Sequence, residues 1–155
     1  MCLLGLGVLG LLSGIINLML KKVVKFWLPA VIWGAIIFSG SSRTTPVVSP
    51  VYWENYAVHK IAHILEYAVL GVLLYRALIQ EKISKKEAVV YAIVVCGFYG
   101  FTDEFHQTLT PTREPRITDV IIDTIGGATG VLLVWKLLPK VNPKLLNWAK
   151  KLDLL

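Results

Sequence analysis

Five long apolar runs, separated by short polar connectors, set the pattern of this chain. They are Leu3–Leu20, Val23–Phe38, Ile61–Ile79, Ala88–Phe101 extended toward Gln107, and Val120–Leu138. Each is near the roughly 17–25 residues that a helix needs to cross a bilayer. The pattern predicts an all-α polytopic membrane helix bundle, with four helices in the core and an extra one at the N-terminus. The first run contains Gly5, Gly7, Gly10 and Gly14 and has no positive region before it, so it reads as a span with its N-terminus outside rather than as a signal peptide. Lys21, Lys22 and Lys25 then mark a first junction, where the chain is expected to reverse. The expected division is an N-terminal apolar helix over 1–22, a transmembrane core over 23–138 and a basic amphipathic tail over 139–155.

Composition agrees with the pattern. The chain has 155 residues, of which 55% are apolar, and a formal net charge of +6. Its lysines flank the apolar runs and form no separate basic domain, so retention on the cytoplasmic side of a membrane explains them better than nucleic acid does. The 21–25 junction, the 81–87 loop and the tail are lysine-rich and are assigned to the cytoplasm. The loops 39–59 and 108–119 then face outside. In the tail, Leu145, Leu146 and Trp148 alternate with lysines in the manner of a helix lying on a membrane surface. Cys2 and Cys96 imply no disulfide framework.

Ionisable residues interrupt this pattern at one end. A charge at the bilayer centre costs roughly 2.5–3.5 kcal/mol on insertion scales, so intramembrane carboxylates and imidazoles mark function by default. At 100° per residue, His59, Lys60, His63, Glu66 and Tyr67 form one polar stripe. Asp103, Glu104 and Gln107 share a face of the next helix, with His106 to one side. Asp119, Asp123, Gly126 and Gly130 share a face of the last. Gly126 and Gly130 form a small-xxx-small pair that admits close helix approach. These faces are expected to converge in a pocket open to the outside, its width set by the Gly126/Gly130 face.

The residue types suggest several chemistries. His63 with Glu66 reads as an acid–base pair, as half of a metal site, or as a buried strut. The spacing of His59, His63 and Glu66 resembles a metal comb, but no repeated Glu-x-x-His unit accompanies it, and a non-metal network is favoured. Asp103 and Glu104 read either as a like-charge pair able to hold a proton or as helix-end polarity partnered by Arg113 or Lys60. Arg113, with Lys60 and Arg43, suits an anionic headgroup; its alternative is an internal pair with Asp119 or Glu104. No metal and no cofactor is predicted, and no phosphate-binding loop or dinucleotide fingerprint is present.

The run His59-Lys60-Ile-Ala-His63-Ile-Leu-Glu66-Tyr67-Ala-Val-Leu-Gly71 resembles the signature of VanZ-like membrane proteins. So do Asp103-Glu104-Phe-His106-Gln107, the following Pro111 and Arg113, Asp119-Val-Ile-Ile-Asp123, and Gly126-Gly127-Ala-Thr-Gly130. Phe38-Ser39-Gly-Ser-Ser42 is similar to the family's helix-end serine motif. The resemblance covers about Trp27 to Trp135. It departs at Thr112, where glycine is usual, at Asp123, where asparagine is common, and in the additional Leu3–Leu20 run. The resemblance implies a four-helix core and a link to resistance against teicoplanin, a lipid-tailed glycopeptide. It supplies no established reaction.

The resulting expectation is a multi-pass protein of the bacterial cytoplasmic membrane. Its outward-facing site binds an anionic lipid-linked cell-wall precursor or a lipoglycopeptide, through Lys60, Tyr67, Gln107, Arg113, Asp119 and Asp123. Membrane lipids are the expected partners, and nucleic acid is not. The enzymatic alternative places His63, Glu66, Asp103 and Glu104 as acid and base on a phospholipid or polyprenyl-phosphate headgroup. A small proton-coupled transporter is the third reading.

Overall fold

The structure is a computed structural model, which describes residues 2–42, 49–109 and 116–155. Arg43, Pro111, Thr112 and Arg113 lie outside the described residues. Six α-helices follow in order: α1 (Cys2–Lys22), α2 (Leu28–Ser41), α3 (Tyr52–Leu78), α4 (Lys85–Gln107), α5 (Ile117–Leu132) and α6 (Pro143–Lys151). Among the described residues there is no strand. Among the described residues four segments are long and apolar enough to cross a membrane: Leu12–Ser41, Tyr52–Leu78, Lys85–Gln107 and Ile117–Lys140.

The expected reversal at Lys21–Lys25 is absent. A π-helical stretch, Val23–Trp27, joins α1 to α2 without a turn, so the extra N-terminal helix continues directly into the core helix. No glycine or proline interrupts Leu20 to Leu28, and lysine is a good helix former, so the charges mark a level along one helix rather than its end. From Cys2 to Ser41 that helix measures about 60 Å at 1.5 Å per residue. This is twice a hydrocarbon core of about 30 Å.

Proline accounts for the π stretch. Pro29 has no N–H to give to the carbonyl four residues back, that of Lys25, and its ring crowds that carbonyl. The helix widens there, and Leu28 N–H bonds to the Val23 carbonyl instead. The orphaned Lys25 carbonyl accepts from Arg76 Nη1 at 3.1 Å. The same device recurs at Leu133–Leu137, just ahead of Pro139, where Leu138 N–H bonds to Leu133.

α3, α4 and α5 form the centre of the bundle, with α2 against α3 and α4. Tyr67, Leu70, Leu74, Tyr75, Ala92, Cys96 and Val131 make the buried core. Trp33 Nε1 donates to the Glu66 carbonyl at 2.8 Å, and Tyr99 Oη donates to the Gly34 carbonyl at 2.6 Å, tying α2 to both neighbours. α3 and α5 meet backbone to backbone. A Cβ on Gly126 would lie 2.6 Å from the Ile64 carbonyl oxygen, and one on Gly71 would lie 2.6 Å from that of Gly127. Gly130 faces the Ala68 carbonyl in the same way. The small-residue stripe thus admits close approach as expected, but it serves helix packing rather than lining an opening. Outward, Val31, Val94, Phe98, Phe105, Ile121 and Ile125 are exposed, which suits a lipid surround.

Charged residues gather at the two ends of this bundle. At one end Lys22 Nζ pairs with Glu81 at 2.7 Å, and Trp27 Nε1 donates to the same carboxylate at 3.2 Å. Beside them α6 folds back onto the core. Arg76 Nε donates to the Leu152 carbonyl at 2.7 Å, and Asp153 pairs with Lys25 at 2.8 Å. Ser84 begins α4 with a reciprocal capping box to Glu87.

These ion pairs carry a pH dependence. The bond from Lys22, then that from Trp27, holds the Glu81 carboxyl below its usual range. The bond from Lys25 does the same for Asp153. A depressed folded value means that the stabilisation is complete above the unfolded value of about 4 and is lost as pH falls through the folded one. Each pair is solvent-accessible and worth less than about 1 kcal/mol. Acidification from pH 5 to 3 is expected to loosen α6 while the bundle stays folded, read as lower amide protection factors over Leu145–Leu154, each referred to the intrinsic exchange rate at that pH. Unchanged protection would refute the clamp.

Candidate functional site

The opposite end collects the ionisable residues that the sequence marks as costly. The C-terminus of α2 supplies Ser41. α3 supplies Lys60, His63, Glu66 and Tyr67. The last turns of α4 supply Asp103, Glu104 and Gln107, and α5 supplies Asp119 and Asp123. Because α3 and α5 touch through glycines, their polar faces are brought within direct bonding distance.

Two pairs bridge α3 and α5. Lys60 Nζ forms a short ion pair with Asp119 Oδ1, and its ammonium also lies 5.0 Å from the Tyr56 ring centroid. One turn deeper, His63 Nδ1 meets Asp123 Oδ1 at 3.0 Å. Asp123 is fully buried, whereas the His63 side chain keeps 18% exposure. A carboxylate bonded to one imidazole nitrogen selects the tautomer and orients the other nitrogen. The order along the helices therefore places an ion pair above a His–Asp pair.

α4 closes the cluster against α2. Ser41 Oγ donates to Asp103 Oδ1 at 2.5 Å, and Gln107 Nε2 donates to Asp103 Oδ2 at 3.1 Å. Phe38 stacks on His106 with ring centroids 4.2 Å apart. Glu104 Oε2 accepts from the Arg116 backbone N–H at 2.8 Å, pinning the start of α5 to the end of α4. Gly100 makes room for Asp123, whose Oδ2 would sit 3.2 Å from a Cβ there.

Several sequence expectations change in detail. His63 takes Asp123 as its partner, not Glu66 or Asp103. Asp103 and Glu104 do not act as one pair, because neighbouring side chains on a helix diverge by about 100°; one turns to Ser41 and Gln107, the other to Arg116. Lys60 is occupied by Asp119. Among the described residues no group of three or more His, Cys, Asp or Glu is arranged to hold a metal. Trp33 is expected from the sequence only as a membrane-interface anchor, and Ser41 and Tyr99 carry no individual role there. Only the helix-end serine motif could have pointed to Ser41, and nothing in the sequence marks the bonds that Trp33 and Tyr99 make.

Among the described residues, four buried polar atoms remain without a hydrogen bond: Tyr67 Oη, Asp123 Oδ2, Glu104 Oε1 and His106 Nδ1. Buried polar groups are normally satisfied, so such a concentration at one end of the molecule calls for an explanation. Two of the four are carboxylate oxygens, which accept and do not donate. A shallow apolar groove of about 450 Å³, lined by Ile32, Ala35, Ile36, Ser39 and Gly40, runs along the exposed side of α2 and stops one residue short of Ser41.

No curated protein and no solved structure gives a significant match to the chain. A family model described as VanZ/LLP1 does match, over residues 10–139. That stretch runs from the start of the first candidate span nearly to the end of the fourth, and on this ground the chain is a multi-pass membrane protein belonging to the VanZ/LLP1 family.

Proposed function

We propose that this protein sits in the bacterial cytoplasmic membrane with its polar cluster facing outside. There it binds an anionic lipid-linked or lipid-tailed molecule and so lowers susceptibility to lipoglycopeptides of the teicoplanin type. The observation that carries the reading is the Lys60–Asp119 ion pair standing over buried, incompletely bonded carboxylates at one depth of the bundle. An incoming phosphate or carboxylate competes with Asp119 for the Lys60 ammonium. Arg113, four residues before Ile117 in the sequence, adds a planar guanidinium for the same anion. Hydroxyl and amine donors of the ligand then meet Asp123 and Glu104. The apolar groove on α2 offers a course for a hydrocarbon tail. The lysine-rich end faces the cytoplasm under the positive-inside rule.

The His63–Asp123 bond favours a second reading, in which an oriented imidazole acts as acid or base on a lipid-phosphate headgroup. The two readings separate by experiment. A susceptible Gram-positive host is given the wild-type gene or a variant, and its inhibitory teicoplanin concentration is compared with that of the host alone. The purified proteins are titrated with teicoplanin and with a polyprenyl phosphate. A binder gives protection and affinity that Lys60→Ala and Arg113→Ala both reduce at least about tenfold, as expected for loss of one charge-assisted contact. Under the enzymatic reading, His63→Gln abolishes turnover of the polyprenyl phosphate while its binding persists. Absence of protection, binding and turnover in the wild type overturns both.

A further inference from the structure

The end opposite the polar cluster carries a net positive charge that the acidic residues beside it do not balance. Twelve of the sixteen basic residues lie there, against three acidic ones: Glu81, Glu87 and Asp153. All three are engaged, Glu81 by Lys22 and Trp27, Asp153 by Lys25 and Arg76, and Glu87 in the α4 cap. Lys21, Lys82, Lys85, Lys86, Lys140, Lys144, Lys150 and Lys151 are exposed and form no ion pair among the described residues.

α6 gives this charge a defined direction. At 100° per residue, Leu145, Trp148 and Leu152 share one exposed face, and Lys144 and Lys151 border it. The adjoining side is fastened to the bundle, with Ala149, about 40° round from Leu145, fully buried and Leu154 nearly so. The helix ends in a Schellman arrangement, with Asp153 N–H to Lys150 and Leu154 N–H to Ala149, both at 3.1 Å. Asp153 holds φ 55°, a left-handed position that glycine would occupy more easily. The aspartate there is what reaches Lys25 and Arg76. The clamp holds α6 at the level of the Phe26 and Trp27 rings, with its apolar face outward.

We propose that this lysine-rich end is a binding surface for anionic phospholipid headgroups, with α6 lying in the membrane interface as its fixed, lipid-contacting edge. Charge complementarity selects the occupant. A row of exposed lysines attracts phosphodiester headgroups bearing net negative charge, while Leu145, Trp148 and Leu152 enter the boundary between headgroups and acyl chains. Nucleic acid would cover the lysines but leave that apolar face in water.

Native mass spectrometry tests the assignment on the full-length protein from nanodiscs containing phosphatidylglycerol and phosphatidylcholine in equal amounts. The wild type is expected to retain phosphatidylglycerol preferentially. Replacing Lys140, Lys144, Lys150 and Lys151 together by glutamine is expected to cut that preference at least about tenfold, given roughly fivefold for each lysine near a charged surface. The unmodified protein supplies an arm that does not depend on folding of the variant. Its thermal stability should be higher in phosphatidylglycerol than in phosphatidylcholine nanodiscs at low salt, and the gap should narrow at 0.5 M salt, as about 3–10 Å screening lengths require. Equal retention of the two lipids by the wild type, equal preference in wild type and variant, or a salt-independent gap overturns the proposal.

Discussion

Gly126→Val is expected to lower this protein's unfolding temperature markedly and to disconnect its polar cluster. The new side chain would begin 2.6 Å from the Ile64 carbonyl oxygen and 2.9 Å from the Ile64 Cα. Both are backbone atoms of α3, which cannot rotate aside, so the helices must separate. Overpacking of this kind costs about 1–3 kcal/mol even where flexible side chains yield, and contact with rigid backbone puts the expected loss at about 3 kcal/mol. Separation also stretches the Lys60–Asp119 and His63–Asp123 pairs, which both span the same two helices. Thermal unfolding in detergent reads the stability loss. Ligand binding, measured on whatever fraction stays folded, should fall together with it. Gly14→Ala is the companion variant. A Cβ there meets nothing within 4 Å, so alanine is expected to be neutral or stabilising by up to about 1 kcal/mol through helix propensity. Equal unfolding temperatures for Gly126→Val and the wild type would show that α3 and α5 are not in backbone contact.

The second large effect comes from taking away half of a buried pair. His63→Ala leaves the Asp123 carboxylate fully buried with Oδ1 as bare as Oδ2 already is. Leaving a buried polar group without its partner costs about 1–3 kcal/mol, and more where that group is charged, because it has lost water and gains nothing in exchange. The double variant His63→Ala/Asp123→Asn removes the stranded charge and is expected to recover most of that loss. Asp123→Asn alone is expected to be mild, since the amide still bonds the imidazole. A double-mutant cycle in detergent should therefore give a coupling of about 1–3 kcal/mol. Additive single effects would mean that His63 and Asp123 do not interact.

Much of this architecture was legible because the bilayer constrains it so tightly. Length and apolarity define the spans Tyr52–Leu78, Lys85–Gln107 and Ile117–Lys140, since only a helix satisfies its own backbone in lipid. Helical period alone aligned Lys60, His63, Glu66 and Tyr67 on one stripe, and the small-residue stripe of α5 announced a close neighbour. The same reasoning failed at Lys21–Lys25. Hydropathy registers where charge occurs but not whether a helix stops there, and the π stretch ahead of Pro29 lets the helix pass through. It failed again at partner choice. Neighbouring carboxylates such as Asp103 and Glu104 look like a unit in the chain and diverge on the helix.

The chain itself determined that the molecule is a membrane bundle of the VanZ/LLP1 family, with acidic and imidazole residues gathered at one end and lysines at the other. These are one-dimensional properties, set by hydropathy, helical period and local charge. Only the tertiary structure decided that His63 answers to Asp123, that Lys60 answers to Asp119, that Ser41 reaches Asp103, and that Asp153 returns to Lys25 and Arg76. Each of those bonds joins residues on different helices, and their distances depend on how closely the backbones approach. For Lys60–Asp119 and His63–Asp123 that approach is set by the glycines of α3 and α5, whose missing side chains act across the interface and not along the sequence.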